Sequence, residues 1–261
     1  MTEGAATFRV AADAYDRFVG RYSPSLSAAL IGIAAVEPGM RVLDVGCGPG
    51  GLTRALADRV GGENVAAIDP SEPFVEACHA RVPDADVRIG AAEDLPFADG
   101  SFDRVLAQLV VNFMADAERG VREMARVSVA DGRVAACVWD YGEGMTMLRT
   151  FWDAALEIDP EAEDEGRTMR YGSRSELEAL WRSAGLEDVE TGQLVATAEY
   201  QSFDDLWAPL PTGVGPAGAF CASLDPERQD ALRASWSRRL GDPHGSFGLE
   251  ARAWYVVGRA A

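Results

Sequence analysis

The sequence predicts an α/β fold: a doubly wound, mostly parallel seven-stranded sheet with an N-terminal helical cap and lid insertions. Three observations predict it. Between residues 41 and 139, short apolar runs alternate with segments of helical period, as parallel strands joined by crossover helices require. A turn almost without side chains, Gly46-Cys-Gly-Pro-Gly-Gly51, joins the first apolar run to the first helical one. The 261 residues are 48% hydrophobic, enough to bury a core with no disulfide or metal staple.

The elements follow in order. Residues 8–36 are expected to be helical, with Phe8, Tyr15, Phe18 and Tyr22 ahead of Pro24. Strand one is Arg41–Val45, followed by a helix on which Leu52, Ala55, Leu56 and Val60 share a face. Strand two is Val65–Ile68, with its helix at Glu72–Arg81; strand three is Asp86–Ile89. Strand four is Phe102–Gln108, a helix follows at Glu118–Val127, and strand five is Arg133–Trp139. Beyond Asp140 the period becomes irregular: a helix at Thr146–Leu156, then an acidic loop at Asp159–Glu165. Ser173 and Glu176 form a capping box, opening a helix that Gly185 closes. Leu186–Val195 is strand six. Asp225-Pro226 reads as an N-cap with proline at the first helical position, for a helix to about Leu240. Ala251–Val257 is the last strand. The expectation is one domain over residues 1–261: a cap at 1–36, a core at 37–140, lids at 141–174 and 200–246, and the rest of the core at 175–199 and 247–261.

Charge narrows the partners. The formal net charge is −18, which disfavours nucleic acid and anionic membranes. All 24 basic side chains are arginines, so no lysine is available as a base. Cys47, Cys78, Cys137 and Cys221 lack metal-ligand spacing and read as free thiols of a reducing compartment, with no metal site. With no leader pattern and no run of transmembrane length, a cytoplasmic protein is expected.

The glycine turn suits a nucleotide-like cofactor, because a Cβ would obstruct both the turn and the approach to its backbone. Gly46, Gly48 and Gly51 fit the dinucleotide pattern, and Gly46, Gly48 and Gly50 fit GxGxG equally well. Asp44 shifts the balance. An acid two positions before the first glycine repels a pyrophosphate but tolerates S-adenosylmethionine, which carries a sulfonium, an ammonium and no phosphate.

On Val42–Gly51, Val65–Pro70 and Gly90–Asp103 running into Arg104–Val111, the chain resembles the class I S-adenosylmethionine-dependent methyltransferases. Within them it is most similar to the small-molecule branch that includes the ubiquinone/menaquinone-biosynthesis type, the type 11 group. The resemblance covers residues 10–140. It implies that Asp69, with Pro70 after it, serves the ribose hydroxyls, and that Ala92 with Glu93 or Asp94 serves the adenine. It implies that Gln108 and Leu109 line the methionine arm, that Asp44 lies near its ammonium, and that Cys47 lies in the turn. Tyr15, Arg21 and Tyr22 then fold over the cofactor, with Arg21 suited to the methionine carboxylate. Two departures stand out: Val129-Ala-Asp-Gly132 where relatives carry a Pro-Gly turn, and Asn112 where many carry histidine.

Methyl transfer needs alignment more than acid–base help, so no catalytic signature is compulsory. Candidates for orienting substrate or moving a proton are Asp140, Tyr141 and His244; His79, mid-helix, reads as structural. Met145, Met147, Phe151, Trp152, Met169, Tyr171, Trp207 and Phe220 supply apolar bulk, some of it expected to wall a cleft for a partly apolar or aromatic small molecule. The partner expectations are that substrate, no nucleic acid, no membrane, and a monomer or homodimer. The rivals are an NAD(P)-dependent oxidoreductase and a non-catalytic S-adenosylmethionine-binding protein.

Overall fold

Strands buried on both faces are apolar for most of their length, and β1 (Val42–Val45) and β2 (Val65–Asp69) are buried at every residue, with Asp44 and Asp69 their acidic members. The computed structural model describes residues 12–261. With β3 (Asp86–Ile89), β4 (Phe102–Gln108), β5 (Ser128–Trp139), β6 (Glu187–Tyr200) and β7 (Phe247–Arg259) they form one seven-stranded sheet, ordered β3-β2-β1-β4-β5-β7-β6. The first five strands pair in parallel; β7 runs antiparallel between β5 and β6. The order reverses between β1 and β4, so a crevice opens at their carboxyl ends.

Helices cover both faces. On one side α2 (Ser23–Ile33) and α3 (Gly51–Val60) share a core with Val42, Leu106, Cys137 and Trp139. On the other, α5 (Ala117–Val127) and α8 (Arg174–Ser183) share one with Leu43, Val105, Ala136 and Val138. Neighbouring β5 residues therefore fall in opposite cores, as the two-residue strand period dictates. The α5 sequence buries Ala117, Gly120, Val121, Met124 and Val127, a helical stripe, and its N-cap Asp116 accepts from Arg119 N at 3.0 Å.

The N-terminal helix is not continuous. Residues 8–11 lie outside the described residues; α1 (Ala12–Arg17) ends in a 3₁₀ turn at Val19–Tyr22, and α2 then begins at Ser23. Pro24 is the physical reason. It lacks an N–H and its ring collides with the preceding turn, so it is accommodated in the first turn of a new helix.

Between β2 and β3 lies α4 (Glu72–Arg81); the carboxyl half adds α6 (Thr146–Ile158), α7 (Glu165–Thr168), α9 (Phe203–Trp207), α10 (Gly215–Ser223) and α11 (Pro226–Arg239). The α8 capping box forms, with Ser173 Oγ accepting from Glu176 N at 3.4 Å and donating to Glu176 Oε2 at 2.6 Å. Asp225 Oδ1 caps α11 by accepting from Arg228 N at 2.9 Å. Strands six and seven are longer than expected, because they continue as a two-stranded ribbon to the Tyr200–Phe247 pair. Leu194, Ala196, Ala198 and Tyr200 are buried at alternating positions there. The Asp159–Glu165 stretch is not simply a solvated acidic loop: Asp164 and Glu165 are buried, and Glu165 opens α7. Among the described residues no helix is long and apolar enough to cross a membrane.

Candidate functional site

The turn after β1 is built on its glycines. Gly46 adopts φ +73, and a Cβ there would lie 2.4 Å from a Val110 methyl carbon. Gly48 adopts φ +52, and its Cβ direction meets nothing within 4 Å, leaving backbone open to the crevice. Gly50 lies behind the turn, against Cys78, and does not line the crevice.

Two acids brace this turn. Asp69, at the end of β2, accepts from Gly48 N through Oδ2 and from Ser71 N through Oδ1, both at 2.9 Å. It thus ties the glycine turn to the start of α4, and burial raises its pKa against the pull of those two N–H groups. Its oxygens retain lone pairs for further donors. Asp44, 1% exposed, accepts from Thr53 Oγ1 at 2.6 Å, and Cys78 Sγ donates to the same Thr53 oxygen at 3.4 Å. Burial pushes Asp44 up to about 7; the Thr53 bond lowers it and the Asp69 charge raises it.

The crevice has two lobes, of about 530 Å³ and 450 Å³, which share Tyr15, Gly46, Gly48 and Gln108. Such volumes are those of small-molecule sites. The larger lobe runs from Asp69, Pro70, Ala92 and Glu93 to a mainly apolar end at Trp139, Tyr141, Leu148 and Pro216. The smaller lobe is lined by Asp44, Cys47, Ser23, Arg54 and Arg81. Gln108 sits between them, fixed by Ser27 Oγ donating to its Oε1 at 2.9 Å and by its own Nε2 donating to Ser23 Oγ at 3.2 Å. Leu109 follows at φ +63, a conformation costly for a non-glycine residue, and its N–H donates to Cys137 O at 2.8 Å. Tyr15 packs edge-on against Phe74 at 5.8 Å.

Several expected site residues lie elsewhere. Arg21 pairs with Asp205 at 2.5 Å, donates to Glu199 O at 3.1 Å and covers the Tyr200 ring at 5.0 Å. Its guanidinium is consumed in holding the 3₁₀ turn to β6 and α9. Tyr22 is fully buried, with its ring edge-on to Trp139 at 5.5 Å and its hydroxyl accepting from Tyr200 at 3.4 Å; it is a core residue. Asp94 is exposed and off the crevice, while Glu93 lines it and accepts from Asp116 N at 3.1 Å. Asp140 is buried against Arg252, whose Nε donates to its Oδ2 at 2.7 Å, so it braces β7. His244 and His79 are exposed and line neither lobe. Of the apolar bulk after Asp140, Met145, Met147, Phe151 and Trp152 are core.

Tyr141 does line the larger lobe. Its hydroxyl accepts from Asn112 Nδ2 at 3.2 Å, and burial, followed by the Glu165 charge, raises its pKa well above the ordinary tyrosine value. Glu165, which sequence reasoning missed, lines the same lobe at 3% exposure and accepts from Trp152 Nε1 at 2.8 Å. Burial pushes it up to about 7, against the Trp152 bond. In sequence it is one more acid in an acidic run, with no periodic signal to mark it as buried. Among the described residues no three metal-binding side chains converge.

A family described as "Methyltransferase domain" matches residues 43–136. The chain is 32% identical over 159 residues to the malonyl-[acyl-carrier protein] O-methyltransferase of Geobacter sulfurreducens, covering 59% of this chain and 58% of that one. It is 32% identical over 177 residues to the demethylmenaquinone methyltransferase of Beutenbergia cavernae, covering 61% and 72%. It shares its fold with phosphoethanolamine N-methyltransferase 2 of Haemonchus contortus in complex with S-adenosyl-L-methionine, at TM-score 0.56 and 18% identity over 90% of this chain and 52% of that one. The chain spans 58% and 52% of the length of the first curated relatives it matches. None of these similarities points to an oxidoreductase.

Proposed function

The chain belongs to the class I S-adenosylmethionine-dependent methyltransferases of the small-molecule type, and on that premise we propose that it uses S-adenosylmethionine to methylate an O, N or C atom of a partly apolar small molecule. The carrying observation is the pair of buried acids, Asp44 and Asp69, flanking a glycine turn whose Gly48 face is open. Those two acceptors suit a cationic nucleoside and repel a pyrophosphate. When bound, S-adenosylmethionine supplies a methyl group already activated on a sulfonium.

We assign Asp69 to the ribose hydroxyls, and Ala92 and Glu93 to the adenine. Asp44 faces the ammonium side in the smaller lobe, which Arg54 and Arg81 also line, each paired there with an acid, Asp58 and Asp16. Tyr15, Gln108 and Leu109 close the junction between the lobes. The apolar end at Trp139, Leu148 and Pro216 receives the acceptor, excludes water and fixes its line of approach. The segments 141–174 and 200–246 act as lids over it. We take the protein to work in the cytoplasm, as a monomer or homodimer and without nucleic acid or membrane.

Calorimetric titration with S-adenosylhomocysteine, with NADH in parallel, tests the cofactor. The expected result is binding of the former alone, weakened by Asp69→Ala about tenfold to several hundredfold, the range of one or more lost charge-assisted hydrogen bonds. Binding of NADH alone overturns the proposal. Methyl transfer to any acceptor then separates an enzyme from a silent binder.

A further inference from the structure

We infer that Glu165 is the general base of the acceptor end of the cleft, taking the proton from a neutral, hydroxyl-bearing aromatic acceptor as its oxygen is methylated. This rests on the methyltransferase reading above. Glu165 is the buried acid at the apolar end of the larger lobe. Asp164 is held by Arg149 at 2.9 Å, Asp140 by Arg252, Asp69 by two backbone N–H groups and Asp44 by Thr53. Glu165 has one bond, from Trp152 Nε1 to its Oε2; its Oε1 has no hydrogen-bond partner among the described residues and is not sealed in the core. With Glu165 on the wall of the larger lobe, that oxygen faces the cleft.

The surroundings suit proton transfer. The indole fixes the carboxylate rotamer, and Trp139, Leu148 and Pro216 keep the acceptor end apolar. The titratable groups about Glu165 are Asp164, paired with Arg149 and Arg167 and still raising Glu165 through its charge, and Tyr141, itself influenced by Tyr15. Tyr141 is raised too far to titrate near neutrality, whereas Glu165, at about 7, is suited to a base at neutral pH. An anionic acceptor would be repelled, and a neutral hydroxyl supplies the donor that Oε1 lacks. In the step, a lone pair of the acceptor oxygen forms the bond to the methyl carbon. The breaking bond's pair stays with the departing sulfur, and the proton passes to Glu165 Oε1 and then to water.

Phenol and anisole, alike in their apolar body but differing in the O–H, test this by calorimetry on the complex with S-adenosylhomocysteine between pH 5.5 and 8.5. Phenol is expected to bind about tenfold more tightly above pH 7 than below it, as a charge-assisted bond replaces a neutral one. Anisole is expected to show no such rise. Glu165→Gln should flatten the phenol profile while leaving S-adenosylhomocysteine affinity within about twofold; Tyr141→Phe should keep the profile. Phenol binding no tighter than anisole at pH 8, or a profile unchanged in Glu165→Gln, overturns the assignment. Should Glu165→Gln not fold, the phenol–anisole comparison on the unaltered protein still decides. Failure of S-adenosylhomocysteine to bind refutes the cofactor proposal instead, and the same two titrations without it still report on Glu165.

Discussion

Replacing Gly46 with alanine separates steric fit from backbone conformation in the turn after β1. The new methyl group would lie 2.4 and 2.5 Å from the two Val110 methyl carbons, against about 3.5–4.0 Å for a comfortable contact. The left-handed φ of +73 costs an L-residue about 1–2 kcal/mol. Overpacking adds about 1–3 kcal/mol, so Gly46→Ala is expected to destabilise by about 2–5 kcal/mol. Val110→Ala removes the two nearest of the three Val110 carbons that the new methyl meets and leaves Cβ at 3.0 Å. The double variant should therefore recover most of the overpacking share and keep the backbone share. Urea denaturation of the four proteins measures this as a coupling of about 1–3 kcal/mol in favour of the double variant. Costs that add within about 0.5 kcal/mol would refute the steric account. Gly48→Ala is the contrast: its Cβ meets nothing within 4 Å, so its stability loss is limited to the backbone share of about 1–2 kcal/mol. Its methyl group enters the crevice, and the larger loss falls on ligand affinity.

Two further outcomes are expected. Arg21→Ala should lower stability by about 1–2 kcal/mol through the lost Asp205 and Glu199 bonds, with S-adenosylhomocysteine affinity unchanged within about twofold; thermal melts and calorimetry read the two, and the reverse pattern would return Arg21 to the cleft. Glu165 has an ordinary value of 4.5 and is held at about 7 in the fold, so between these pH values the native state keeps a proton that the unfolded chain releases. Stability therefore falls as pH rises through that window, by on the order of 3 kcal/mol. Glu165→Gln should remove this share of the slope in urea midpoints from pH 4.5 to 7.5, leaving the share due to Asp44 and Asp69; an undiminished slope would refute the assignment.

The core was legible in the sequence because its signals are local. Apolar strands buried on both faces, helical stripes and the Ser173 and Asp225 caps each show within one turn of chain, and the matching elements form within a few residues. The turn conformation at Gly46 and Gly48, and the place of Asp69 beside it, follow likewise from backbone geometry at one sheet edge. What no local pattern shows is decided at long range. Arg21 finds Asp205 184 positions away, and Tyr22 finds Tyr200 178 positions away. Asp140 finds Arg252 112 positions away. No local pattern distinguishes an arginine that will face a ligand from one that will fasten two segments together. Glu165 was missed for the opposite reason: its acidic neighbours suggested solvent, while Trp152 and Tyr141, brought in from other elements, enclose it.

The position of β7 between β5 and β6 has a consequence for assembly during synthesis. β6 is made before β7 but has no neighbour in the sheet until β7 arrives. From the completion of Tyr200 until Phe247–Arg259 is made it is an unpaired edge with alternating apolar residues, the kind of segment that pairs with other chains. The turn of Val19–Tyr22 also waits, because it packs on β6. The five parallel strands can thus order early, while the wall of the cleft contributed by the start of the chain is completed only by strands near residue 259. Slow emergence of that last stretch would prolong a state in which the glycine turn is formed but its cover is not, and aggregation in that interval would be governed by β6, not by the five parallel strands.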